Sequence, residues 1–366
     1  MTSRLSPRAL KVLGAVLAPL AAAAIIWACT KTLPGARSKA PGTVGEVWAP
    51  ATAAVRSGYP LALSADRRHL VDATGSPFLI HGEAAWSLVV QLDREQAETY
   101  LEDRRRRGFN LLLVNLLEHH FSPHAPANAY GKRPFASDFS TPNAEYFDHV
   151  DWVLKRAADK GLAVLLCPAY LGYAGGDEGW YREMVKSGAE KLRGYGRFVG
   201  ARYKDFPNLL WLEGGDFTPP PEHLALVNAV AEGIKEAGAR QLHAVHWSPE
   251  TSGAEVTVSG WLDLDTTYTY EPVYLKSRRD YERADGRPHF LLESTYEGEH
   301  ESTPWSLRGQ AYGALLSGAV GQIFGNKEIW RFDPGWIDAL GGAGSVGMTH
   351  VRTLFASFDW TKLRPD

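Results

Sequence analysis

Eight short apolar runs alternate along this chain with segments of helical periodicity, and that alternation limits the fold more than any other feature. The runs are Phe78 to His81, Asn110 to Leu117, Leu162 to Cys167, Asn208 to Leu212, Leu242 to His246, Leu264 to Tyr268, His289 to Glu293 and Ala319 to Phe324. Continuous apolar runs of this length suit parallel strands covered on both faces. Between them lie predicted helices over Arg94 to Arg107, around Phe147 to Ala158, within Trp180 to Tyr203, from Pro219 to about Ala237, around Tyr274 to Arg283, over Leu307 to Leu316, and roughly over Met348 to Phe358. The second is the plainest case: Phe147, Val150, Val153, Leu154, Ala157 and Ala158 recur at three- and four-residue steps, and Gly161 ends the pattern. Eight strands alternating with helices predict an α/β fold, a (β/α)8 TIM barrel, over a doubly wound sheet, since no Gly-rich phosphate turn follows the first strand. Leu61 to Leu63 and His69 to Asp72 predict a small β-hairpin ahead of the barrel.

The remaining sequence divides simply. Arg4, Arg8 and Lys11 precede an uncharged apolar stretch from Val12 to Ala28, which reads as an export signal. Ile26-Trp27-Ala28-Cys29 resembles a lipoprotein cleavage box, with Trp27 a poor fit, and an uncleaved membrane anchor is the rival reading. Either places the catalytic part outside the cytoplasm, at the cell surface or in the periplasm. Residues 1–29 are thus assigned to a signal or anchor, 30–60 to a flexible linker rich in Ala, Gly, Pro, Ser and Thr, and 61–366 to the barrel. The net charge of −3 gives no electrostatic case for nucleic acid. Cys167 lies alone inside an apolar run and reads as a small buried hydrophobe.

Two of the runs end in carboxylates. Leu209-Leu210-Trp211-Leu212 leads to Glu213, Gly214, Gly215 and Asp216, and Phe290-Leu291-Leu292 leads to Glu293. The carboxyl-terminal ends of barrel strands converge on one mouth, where catalytic side chains meet. Two acids there suit glycoside hydrolysis, which needs one carboxyl to protonate the leaving oxygen and another to attack, or stabilise, an oxocarbenium-like centre. Side-chain alternation turns Glu213 away from Asp216. Twelve Trp and fifteen Tyr supply rings that can stack on sugar faces. The expected substrate contacts are Glu83, Trp86, Asn115, His119, His120, Tyr170, His246, Trp247, Tyr268, Tyr270, Tyr296, Glu297 and Trp330. Adjacent histidines on a loop rarely aim at one ion, so His119 and His120 are read as sugar contacts and no metal or cofactor is expected. Arg104 to Arg107 reads as a solvated helix face.

These residues resemble the apiosidase-like glycoside hydrolases. The likeness rests on Gly82-Glu83-Ala84-Ala85-Trp86, on Gly214-Gly215-Asp216, on Glu293-Ser294-Thr295-Tyr296-Glu297, and on Gly318-Ala319-Val320-Gly321-Gln322-Ile323-Phe324-Gly325. The resemblance implies a retaining enzyme, with Asp216 as acid/base and Glu293 as nucleophile, and it points to apiose in pectic side chains. Arabinofuranose and other unusual sugars of plant or bacterial glycans stay open. Glu83 stands where the family often has Asp, and Phe324 where it often has Tyr, so altered contacts in the first subsite are expected. Many relatives carry a β-rich domain after the barrel; none follows here before Asp366, and less help in holding polymer is expected. The reading from another class is a non-catalytic carbohydrate-binding barrel, which would keep the aromatics without needing both acids.

Overall fold

The structure is a computed structural model that describes residues 58–257, 259–283 and 285–365. The expected export signal and nearly all of the expected linker lie outside the described residues. The linker's last residues are part of the fold: Tyr59 is buried, and its hydroxyl donates to the Gly161 carbonyl at 3.0 Å.

The chain opens with a small antiparallel sheet of three strands, β1 (Ala62–Leu63), β2 (Leu70–Val71) and β3 (Pro77–Phe78). The predicted hairpin therefore gains a third strand, which includes Phe78, expected in the first barrel strand. The cause is local. The Asp72 carboxylate accepts from the backbone N–H groups of Thr74 and Ser76, at 2.8 and 2.9 Å, and this turn folds the chain back so that Val71 pairs with Pro77.

Eight parallel strands follow: β4 (Ile80–Ala84), β5 (Leu111–Asn115), β6 (Ala163–Cys167), β7 (Leu209–Gly214), β8 (His243–His246), β9 (Asp265–Tyr268), β10 (His289–Glu293) and β11 (Gly321–Phe324). Their order, β8-β7-β6-β5-β4-β11-β10-β9, brings the first and last strands side by side and nearly closes a TIM barrel. At the seam between β8 and β9 the Thr266 hydroxyl donates to the Val245 carbonyl at 2.6 Å. The helices are α1 (Leu88–Gln91), α2 (Arg94–Arg107), α3 (Ala144–Asp159), α4 (Tyr181–Tyr203), α5 (Leu224–Glu236), α6 (Gly253–Val256), α7 (Val273–Tyr281), α8 (Pro304–Leu316), α9 (Trp336–Ala339) and α10 (Ala343–Ala356).

Period-two alternation sorts the strand residues into two layers. Leu111, Leu113, Ala163, Leu165, Leu210, Leu212 and Phe290 fill the barrel, whereas Leu112, Val114, Val164, Leu166, Leu209, Trp211 and Val245 pack outward against the helices. Cys167 belongs to the inner layer as a free, buried thiol. The helix ends obey local signals. At the start of α2, Asp93 and Gln96 form a reciprocal capping box, and Gly108 ends the helix in the left-handed conformation at φ 81°. Helices α4 and α5 approach so closely that a Cβ on Gly196 would lie 2.2 Å from the Val230 carbonyl oxygen.

Candidate active site

The loops after the barrel strands enclose a cavity of about 250 Å³ at the carboxyl-terminal mouth. Trp86, Phe121, Tyr170, Tyr268, Tyr296 and Trp330 form much of its wall, and Asp216, Glu293, Glu178 and Glu299 supply its carboxylates. Two larger clefts lie elsewhere, one beside Phe355 and Trp360, the other between α7 and α8. The acids of the second are tied to arginines, Glu271 to Arg279 and Glu282 to Arg278. Chemistry, not size, therefore singles out the mouth.

Asp216 reaches the cavity through a backbone that few residues tolerate. After β7, Gly214 and Gly215 adopt φ of 85° and 135°, and Asp216 itself sits at 51°. A Cβ on Gly215 would lie 2.3 Å from the Tyr170 ring, so glycine lets the loop press against the wall. Although the residue is largely enclosed, Asp216 Oδ1 has no hydrogen-bond partner among the described residues. Asp216 does not cap the helical turn at Pro221–His223. Burial, and then the negative charge of Glu293, push its carboxyl up to about 7, against the lowering pull of His246 and the Tyr268 hydroxyl.

Glu293 arrives by a different device. Strict alternation from Phe290 and Leu292, which face the barrel interior, would turn Glu293 outward. The register between β9 and β10 shifts between Leu291 and Glu293, so Glu293 pairs with Tyr268 and faces the mouth. His246 Nε2 stands 3.1 Å from Glu293 Oε2, and the His246 ring lies flat under Trp86, with centroids 5.7 Å apart. Trp86 Nε1 donates to the Tyr296 hydroxyl at 3.1 Å, leaving the Tyr296 proton for Glu293. Glu213 faces outward, as alternation predicts, 3.2 Å from His243 Nδ1. Burial pushes the Glu213 carboxyl up to about 8 and the His243 imidazole well down.

Of the expected sugar contacts, Trp86, Tyr170, Tyr268, Tyr270, Tyr296 and Trp330 line the cavity, and His246 touches both Trp86 and Glu293. The others stand elsewhere. Glu83 faces outward from β4, buried between strand and helix, where Arg104 Nη1 and the Tyr100 hydroxyl each donate to it at 2.6 Å. That pair also overturns the solvated reading of Arg104, which is fully buried and donates further to Ser345 and to the Leu340 carbonyl. Trp247 packs in the outer layer with its Nε1 on Thr257, and Glu297 accepts from Gly344 N and Asn326 Nδ2, anchoring the start of α10. Asn115 is buried next to Glu118, whose carboxyl burial pushes up to about 7. The His119 and His120 rings pack on each other outside the cavity, with His119 Nδ1 on the Asp177 carbonyl and its ring against Trp180. No group of three or more metal-ligating side chains occurs among the described residues. Sequence reasoning missed Phe121, Tyr173 and Glu178, which lie between the barrel strands and helices where no periodicity marks them, while Glu299, a local competitor of Glu293 further into its loop, also lines the cavity.

A barrel whose mouth holds two strand-end carboxylates inside aromatic walls has the layout of a glycoside hydrolase, and structures of that class align with it. A solved glycoside hydrolase is similar at 25% identity and TM-score 0.74 over 85% of this chain and 78% of its own. A glycoside hydrolase family 5 structure from Bacteroides vulgatus shares the fold at 22% identity and TM-score 0.73, over 84% of this chain and 74% of its own. So does an endo-1,4-β-D-mannanase from Thermotoga petrophila, at 14% identity and TM-score 0.55, over 76% of this chain and all of its own. The family model for the apiosidase-like catalytic domain matches residues 64–362, and the chain belongs to that family. No curated protein matches the sequence.

Proposed function

We propose that this glycoside hydrolase works by double displacement with retention, Asp216 serving as acid/base and Glu293 as nucleophile. In the first step the protonated Asp216 gives its proton to the glycosidic oxygen while a Glu293 oxygen bonds to the anomeric carbon, and the leaving sugar departs as the alcohol. In the second, Asp216, now a carboxylate, takes a proton from water, whose oxygen displaces Glu293 from the anomeric carbon. The observation that carries this reading is the largely enclosed Asp216 carboxyl, whose Oδ1 has no hydrogen-bond partner among the described residues and which burial and the charge of Glu293 push up to about 7. A carboxyl that keeps its proton near neutral pH can act as an acid, and the Tyr296 hydroxyl holds Glu293 for attack, with His246 Nε2 3.1 Å from it.

The substrate we infer is a terminal or side-chain sugar of a plant or bacterial polysaccharide, with apiose in pectic side chains as the candidate favoured by family membership. The cavity of about 250 Å³ supports a site that engages little more than one sugar ring at its base. We also infer action outside the cytoplasm, from the apolar stretch Val12 to Ala28 and its basic flank.

The test compares the protein with its Glu293→Gln variant on pectic, arabinan and bacterial polysaccharides, and follows the anomer first released by NMR. Release with retained configuration, abolished in the variant, is expected. An inverted product would overturn the nucleophile assignment. A protein that binds these glycans and cleaves none would instead be a carbohydrate-binding barrel.

A further inference from the structure

A cleft of about 400 Å³ lies at the opposite end of the barrel from the mouth. Leu79 and Asn110, the residues just ahead of β4 and β5, line it, and Val320, just ahead of β11, lines a smaller cleft beside it. Phe355 and Trp360 belong to both. The starts of parallel barrel strands mark the amino-terminal face, which takes no part in the chemistry at the mouth. The charges of this face set it apart. Arg352 lines the larger cleft, Arg68 and Arg364 line the smaller, and none of the three forms an ion pair among the described residues. Each is nonetheless held in place. Arg352 packs against Gly108 at the end of α2, where a Cβ would lie 2.2 Å from its Nη1. Arg68 donates to the Tyr281 hydroxyl, and Arg364 Nη1 donates to the Thr361 carbonyl at 2.8 Å. In the cleft between α7 and α8, by contrast, Arg278 and Arg279 are neutralised by Glu282 and Glu271.

The single acid lining either cleft among the described residues, Asp359, is occupied by Lys362 Nζ at 3.1 Å and by the Thr361 hydroxyl at 2.6 Å. Aromatic rings complete the surface. Phe358 is 40% exposed, and Trp360 is half-buried with its ring against the edge of His69, centroids 5.9 Å apart. The catalytic mouth is the reverse in character, with four carboxylates and no Lys or Arg among its lining residues. An anionic stretch of polymer is therefore repelled at the mouth and attracted at the far face. Arginine suits a carboxylate, which its planar guanidinium can meet with two parallel hydrogen bonds, and an aromatic beside it suits the apolar face of a sugar. The surface is also concave, so a single ring can enter it where a flat bilayer cannot. We propose that the amino-terminal face of the barrel is a second glycan site, which takes a uronate-bearing stretch of polysaccharide with a ring on Phe358 and Trp360 and its carboxylate on Arg352. The inference rests on the polysaccharide reading of the substrate and is independent of the roles of Asp216 and Glu293.

The probe is oligogalacturonate, a chain of uronates with no side-chain sugar, titrated calorimetrically into the protein at low salt. Binding is expected, and the fully methyl-esterified oligomer, which keeps the rings and loses the charges, should bind about tenfold more weakly. Arg352→Glu should raise the Kd for oligogalacturonate about tenfold or more, and added salt should weaken wild-type binding in the same direction. Phe358→Ala, at an exposed position, should raise the Kd for both forms of the oligomer, and thermal melts establish that each variant is folded. Glu293→Gln should bind as the wild type does, since the site is remote from the mouth. A wild-type protein that ignores oligogalacturonate, or binds the ester equally well, would overturn the site, as would binding lost in Glu293→Gln and kept in Arg352→Glu. Binding to vesicles of phosphatidylglycerol that Arg352→Glu removes, with none to the oligomer, would overturn it in favour of a membrane-facing surface. A protein that binds the oligomer as expected and releases no sugar from any polysaccharide would sink the catalytic reading and leave this site standing.

Discussion

Replacing Glu293 by Gln should make the protein more stable at pH 8 and not at pH 5, while abolishing hydrolysis. The Asp216 carboxyl is raised from 3.8 to about 7, first by burial and second by the charge of Glu293. A carboxyl whose folded pKa exceeds its unfolded value holds its proton longer in the folded state, so stability falls as pH climbs from about 4 to about 7. A shift of about three units corresponds to about 4 kcal/mol against the charged form, reduced to about 2 kcal/mol or so by solvent reaching a partly exposed group. Two carboxylates at the roughly 5.5 Å spacing of a retaining pair repel by about 3 kcal/mol at an effective dielectric near 20, again less with screening. Removing one charge should therefore return about 1 kcal/mol at pH 8, where Asp216 is ionised, and nothing at pH 5, where it is neutral. Thermal melts of both proteins should show a variant gain of about 2 to 4 °C at the higher pH alone. An equal change in Tm at both pH values, or a variant destabilised at pH 8, would refute the coupling between the two carboxyls.

Three further outcomes are expected. The wild-type kcat/KM should fall about tenfold per pH unit above about 7, as the acid Asp216 loses its proton, and a profile flat to pH 9 would count against that role. Arg104→Met should cost about 3 to 5 kcal/mol in urea unfolding, because it strands the buried Glu83 carboxylate, and the Glu83→Gln/Arg104→Met double variant should recover part of that loss. Gly196→Ala should cost about 1 to 3 kcal/mol, since its Cβ would drive α4 from the Val230 carbonyl of α5; a neutral substitution would mean that the helix pair relaxes freely.

How much of this was legible beforehand depends on the range of the interaction involved. Helix α2 runs over Arg94–Arg107 as predicted, and the signals that bound it, the Asp93–Gln96 capping box and Gly108, act within a turn or two. The outward turn of Glu213 follows from alternation alone. Glu83 and Arg104 were misread for one shared reason: each looks like a solvated or sugar-facing charge until β4 and α2 are stacked, and only then do they neutralise each other. Trp247 and Glu297 follow strands that end at the mouth, yet their side chains turn into the shell around the barrel. Glu293 was placed correctly at a strand end, but what aims it inward is a register shift against β9, which no reading of its own strand contains.

The sequence by itself determined the barrel, the order of its strands and the two strand ends that carry Asp216 and Glu293, since these depend on hydrophobic period and on turn and cap residues close in the chain. Tertiary structure alone decided that the Asp216 carboxyl is raised and which aromatics meet it. Burial, the charge of a residue 77 positions away and the convergence of loops from separate strands set the chemistry of the mouth. Those are properties of the space between elements, and a linear pattern does not hold them.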